Sequence, residues 1–539
     1  MEDRKRTIRI DSILGGQSKL THFATTDQYL RSVGIDPSLP VDSSGAFYNK
    51  PSGLVRPTTA NKMNGDSLTG APYWQVPNPK DGFTYVYDAI GSVYTHNDAS
   101  IAGLGDLNDG QSASGNGAAY YDNYIYFARD TTIARYGPLN GTPTFTDDYW
   151  ITTLSKTALV NTEYPEIGFV QPDVLPNHIM HRHSDGRLYF ADVVDNKGTL
   201  HYIQTTKTTV EGDTDNGSTY NKIQFGYGLW PMAIESYGSD LVIALFEGKG
   251  GNSKMKAKLA FWDTTSQNFN KITWVEFPDH LITAIKNVNG VLYVFSTSTD
   301  SYDTRLVRFV GGYTFEEVAY LTTFDPPYPG AVISYGDRLL FGSFIQDDLL
   351  GDQGVIVSYG RVKGIPNEAL YVVGGCSNSN NATITSLSRK QDDLLIDLPN
   401  AGFSNGGSGG TNNGIDTPRS SSGSSSGYSS FPQMWISQVY KIGQPFKFKK
   451  IRIPLAQAMA SGMIVTPKIH TDDGKGTTYT LTAINNTNDP GAFNVVRRSG
   501  SAGETITGQH NFFLELKWTG ETLSVINLPI TIEYELLDD

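Results

Sequence analysis

A turn-forming pair, then a leucine or isoleucine, then further strand formers: this pattern returns along the whole chain. Its cleanest instance is Asn289-Gly290-Val291-Leu292-Tyr293-Val294. It recurs as Asn123-Tyr124-Ile125-Tyr126-Phe127, Gly186-Arg187-Leu188-Tyr189-Phe190, Ser239-Asp240-Leu241-Val242-Ile243 and Asp337-Arg338-Leu339-Leu340-Phe341. Asp392-Asp393-Leu394-Leu395-Ile396 repeats it again, and Gly82-Phe83-Thr84-Tyr85-Val86 is a weaker copy at the front. The central residues lie about 40 to 65 residues apart, bracketing the length of a β-propeller blade with room for loop insertions. A second strand-like run ending near an aromatic follows each copy, at 92–95, 133–136, 200–203, 259–262, 306–309, 355–359 and 435–440. A blade cannot bury both of its faces alone, so such units imply a closed ring. The pattern predicts an all-β protein: a β-propeller of about seven blades over residues 71–440. A β-sandwich or β-helix with accidental regularity is the competing reading.

The flanks read differently. Residues 1–70 form an N-terminal arm, rich in Pro, Ser, Gly and Asn, expected to lie across the ring or reach a neighbouring subunit. Within it, Asp27–Val33 has the spacing of a short helix, with Thr26 before it and Gly34 after it as caps. Residues 402–430 are Gly/Ser-rich and read as a flexible insertion in the last blade or as a linker. Over 441–539 apolar and polar residues alternate, as in Leu514-Glu515-Leu516-Lys517-Trp518 and Ile530-Thr531-Ile532-Glu533-Tyr534. One wet and one buried face predict a C-terminal antiparallel β-sandwich.

Composition agrees with an all-β chain: 30 Tyr, 25 Phe and 56 Gly in 539 residues, with only 18% charged residues. The single cysteine, Cys376, excludes an intramolecular disulfide. The apolar run after the charged N-terminus is too short for a signal peptide, and no window has the roughly 18 apolar residues of a membrane span. Net charge is −13. Residues 434–539 hold ten Lys/Arg and ten Asp/Glu, so the acid excess lies entirely before them. An acidic body argues against sequence-specific nucleic-acid binding, which needs Lys and Arg on phosphates. It suits a surface that DNA passes without sticking.

Candidate chemistry is sparse. His178, His181 and His183 fall within six residues, and in an extended segment His181 and His183 project to one face, a geometry able to hold Zn or Fe. No carboxylate or cysteine supports them at a ligand spacing, and packing with hydrogen bonding is the competing role. Asp213-Thr214-Asp215-Asn216-Gly217-Ser218 starts like a calcium loop, but its glycine comes one place early and Gln224 stands where a bidentate carboxylate is needed. Gly248–Lys254 lacks the order of a phosphate loop. The pairs Asp347-Asp348 and Asp392-Asp393 read as turns. Neither a cofactor nor a catalytic residue is expected. A glycosidase pair of sequence-distant carboxylates stays open.

Several longer stretches carry a resemblance: residues 8–40, 115–128, 175–190, 287–296 and 435–455, among them GNGAAYYDNYIYFA and WISQVYKIGQPFKFKKIRIPL. In these the chain resembles virion proteins of tailed bacteriophages, in a group known mostly from environmental phage genomes. The resemblance covers most of the chain and brings no functional-residue set with it. It implies a non-enzymatic structural tail protein, nozzle or hub type or tail tip, made in the host cytoplasm and placed in the virion. The implied partners are further copies of itself, other tail or connector proteins, and a host surface receptor or glycan. A carbohydrate-active or receptor-binding propeller is the alternative.

Overall fold

The computed structural model describes residues 4–13, 15–18, 28–33, 54–55, 61–63, 68–79, 82–97, 100–107, 117–129, 132–151, 178–194, 197–203, 223–247, 256–266, 272–278, 280–298, 303–346, 352–361, 368–375, 382–389, 400–405, 414–418, 433–459, 461–519 and 526–537. Strands dominate these residues, and seven antiparallel sheets of four strands follow one another along the chain. Their first strands are Pro72–Pro77, Gly117–Tyr121, Met180–Arg182, Leu229–Tyr237, His280–Val288, Val332–Tyr335 and Ala382–Ser388. Each first strand neighbours the next, and the last returns to the first, closing a β-propeller-like ring. Sheets are numbered here one to seven in that order.

In sheets one to six the repeated pattern is the second strand. Ile125, Leu188, Leu241, Leu292 and Leu339 each follow the hairpin turn from the first strand, and all are buried. The turn residues explain the hairpins. Asn289 and Gly290 both take positive φ, 49° and 85°, as a tight two-residue turn between right-twisted strands requires. The aromatic-ended runs are the third strands, for example Lys256–Trp262 and Thr304–Gly311. Cores form between sheets. Tyr87, Val93 and Tyr85 of sheet one meet Ile125 and Phe127 of sheet two, and Trp150 of sheet two packs on Phe190 of sheet three.

Sheet seven closes the ring with a borrowed strand. Its second and third strands are Asn400–Asn405 and Gly414–Pro418, and its fourth is Asn61–Met63 from the arm, paired antiparallel to Asp416–Pro418. The Gly/Ser-rich reading of 402–430 is thereby corrected in part, because backbone hydrogen bonding recruits two of its segments as strands. The copy at 392–396 lies outside the described residues, as do Cys376, Asp347-Asp348, 213–222 and 248–254.

Beyond the ring stand two packed sheets of five and seven strands. Phe446, Phe448, Ile451 and Ile453 from one meet Val465, Ile469, Leu514, Leu516 and Trp518 from the other in a dry core. Gln433–Ile436 belongs to the seven-stranded sheet, paired with the strand Asn511–Thr519. The run 435–440 is therefore not a strand of the last sheet of the ring.

The arm is sewn into this body. Lys5–Ile10 pairs with Ile530–Leu536, Leu54–Val55 with Ile526–Asn527, and Arg31–Val33 with Met434–Ile436. The helix expected over 27–33 is overturned: Gln28–Tyr29 and Arg31–Val33 are strands. Seven residues of helix are marginal by themselves. The extended form gains a sheet edge and buries Tyr29 completely between Tyr371 and Trp435.

Candidate functional site

Titratable side chains gather where sheets three, four and five meet, near the turns that end their first strands. The register makes the gathering intelligible. His181 pairs with Tyr189, Glu235 with Val242 and Lys286 with Tyr293, which are equivalent ladder positions in three consecutive sheets. One layer of the ring thus carries His, Glu and Lys side by side. Lys286 Nζ donates to Glu235 Oε2 at 2.7 Å, and Glu235 Oε1 lies 3.8 Å from His181 Nε2. Burial pushes the Glu235 carboxyl up, but the Lys286 charge, the nearby His181 imidazole and the hydrogen bonds from Lys286 and the Ser236 N–H outweigh it and hold it below the usual range. Burial also lowers His181 to about 4, against the opposing pull of Glu235, so at neutral pH its ring is uncharged.

The next ladder position supplies Ser236 and Asn287, opposite Leu241 and Leu292. Asn287 Nδ2 donates to the Ser236 carbonyl at 2.8 Å, tying sheet five to sheet four. The Ser236 hydroxyl stands between two imidazoles, 2.7 Å from His181 Nε2 and 2.8 Å from His183 Nδ1. His183 Nε2 faces the Ser239 carbonyl at 3.2 Å.

The histidine trio expected from sequence is therefore split. His181 and His183 do share a focus, and it is a serine oxygen of the adjacent sheet. His178 turns to its own sheet, with Nδ1 2.9 Å from the Ala191 carbonyl and 3.8 Å from Asp192. Among the described residues no group of three His, Cys, Asp or Glu is arranged to hold a metal. Of the three, only His181 and His183 are brought together: the strand Met180–Arg182 carries His181 toward sheet four, while His178 precedes the strand and bonds within sheet three. Glu235, Ser236, Lys286 and Asn287 were not singled out from sequence. Aligning the repeat copies backwards across each turn would have exposed them, since the first strand is fixed in register by the second.

A second buried polar group, His178, Asp192 and His201, lies wholly within sheet three, with His201 stacked on Phe190 and packed against Trp150. Near the Thr471–Gly476 turn, His470 is hydrogen-bonded to Glu515 at 2.6 Å and lies flat on Phe513. Both groups are enclosed by core residues. No helix among the described residues is long and apolar enough to cross a membrane.

No protein-family model and no curated protein matches the sequence. Among solved structures, one similar to this chain is a quinonprotein alcohol dehydrogenase-like protein from Bacteroides thetaiotaomicron. The two share 11% identity over 52% of this chain and 68% of that one, with a TM-score of 0.31. At that level nothing about activity passes from one to the other.

Proposed function

We propose that the protein is a structural tail component of a tailed-bacteriophage virion: a seven-bladed propeller with an N-terminal arm and C-terminal sandwich that assembles as a homo-oligomer and serves host attachment or DNA delivery. The observation that carries this reading is that segments flanking the ring pair back onto the body. Lys5–Ile10 and Ile530–Leu536 lie side by side in one sheet, and Asn61–Met63 completes the ring. A body closed by strands that flank the ring meets its neighbours with those strands already paired. Most homo-oligomers of soluble subunits close by point-group symmetry. The phage-like stretches of the sequence and the acidic ring-bearing half support the same reading.

The test is location. Antibody raised against the purified protein, bound with gold to tailed particles and imaged, is expected to decorate the tail. Gold absent from particles while the antigen stays in the lysate would contradict the proposal.

A glycan-binding reading has one observation in its favour. Tyr313, half exposed, stands on Phe261 and Phe309 at an edge between sheets four and five. Aromatic faces of this kind can stack on sugar rings. Binding of host polysaccharide that is lost in Tyr313→Ala would favour it.

A further inference from the structure

The Ser236 junction has more order than a fastening needs. A carbonyl only accepts hydrogen bonds, so the 3.2 Å contact to the Ser239 carbonyl, shorter than the 3.5 Å contact to the Ser184 hydroxyl, favours the ring proton of His183 on Nε2 and a lone pair on Nδ1. The Ser236 hydroxyl must then donate to Nδ1 at 2.8 Å, and its oxygen accepts from His181 Nε2–H at 2.7 Å. Nucleophile, base and a group that orients the base are aligned in sequence, which is the arrangement that activates a hydroxyl. Accessibility differs along this line as the chemistry requires. His183 is buried, whereas Ser236 is only half-buried.

We propose that Ser236 is an activated nucleophile toward small carboxylic esters, with His183 as its general base. In the first step the Oγ–carbon bond forms as the carbonyl π pair moves onto the carbonyl oxygen and the hydroxyl proton moves to His183 Nδ1. Collapse breaks the bond from the carbonyl carbon to the alcohol oxygen, and the alcohol leaves with that proton. Water then adds to the acyl-serine, giving its proton to Nδ1. The carboxylic acid departs and the proton returns to Oγ. His181 Nε2–H donates to Oγ and stabilises the alkoxide character that develops there as the proton leaves. Glu235 addresses His181 and Lys286, not the base. His183 thus has a carbonyl behind it in place of a carboxylate, which stabilises the imidazolium less and makes turnover slow.

This inference is independent of the virion reading: a tail protein can fail it, and a protein that is no tail component can pass it. The experiment uses the full chain and a fluorophosphonate probe, with the adduct mapped by peptide mass. One adduct per chain at Ser236 is expected, absent in Ser236→Ala and formed roughly 10²-fold more slowly in His183→Gln. Near-UV circular dichroism unchanged in His183→Gln beside that loss of labelling separates a general base from a merely structural histidine. A folded wild-type protein without adduct at Ser236, or labelling unchanged in His183→Gln, overturns the proposal. If either variant fails to fold, the wild-type adduct map decides alone.

Discussion

His181 and Asp325 bury ionisable groups whose effects on stability run in opposite directions with pH. Burial lowers His181 to about 4, from 6.5 in an open chain. Between those values the unfolded chain holds a proton that the folded chain does not, so stability falls as pH drops from 6.5 toward 4. The loss is on the order of 3 kcal/mol at about 1.4 kcal/mol per unit. His181→Gln should flatten this acid limb in urea melts across pH 4–7. Asp325 is raised to about 6 by burial, from 3.8. Here the folded chain keeps the proton longer, so stability falls as pH rises through that window. Asp325→Asn should raise the melting temperature at pH 8 and leave it unchanged near pH 3.5. Gly290 tests the backbone at the same scale. Its φ of 85° admits a side chain only with strain, although the space around it is open. Gly290→Ala should therefore cost about 1 kcal/mol in denaturant titration.

At the scale of the element, the second and third strands of each sheet announce themselves because turn chemistry and burial coincide there. Leu292 is the type residue: fully buried, facing the core that spans sheets three to five. Leu292→Ala should cost about 2–5 kcal/mol, and Leu292→Asp should abolish soluble folding. A well-folded Leu292→Asp protein, judged by near-UV circular dichroism, would contradict the assignment of the repeat. First and fourth strands were less legible. Leu229–Tyr237 has no alternation, because both faces of its first seven residues are buried, so its polar end at Glu235 and Ser236 carries no period. The arm misled for another reason. Thr26 and Gly34 are sound helix signals, but they are local, and the edge at Met434–Ile436 that captures Arg31–Val33 lies some 400 residues away. The histidine pair was legible as a shared face. Its serine partner was not, since that contact crosses between sheets.

For the whole molecule, the ring is a sequence of local hairpins closed by one long-range strand. Removing residues 1–67 leaves Gly414–Pro418 as an open edge and unpairs Ile530–Leu536 on the side that faces Lys5–Ile10. Such a truncation should melt in two transitions, ring and sandwich, where the full chain melts in one, and it should aggregate through the new edges. The acid excess before residue 434 acts at this scale too. Assembly that brings acidic rings together should strengthen as salt rises, because like charges are then screened. Under the proposed function this closed body meets copies of itself. Sedimentation velocity of the full chain across the micromolar range tests it most directly. A single species of defined multiple mass, sharpening with added salt, is expected; a monomer at every concentration and every salt would rule self-assembly out.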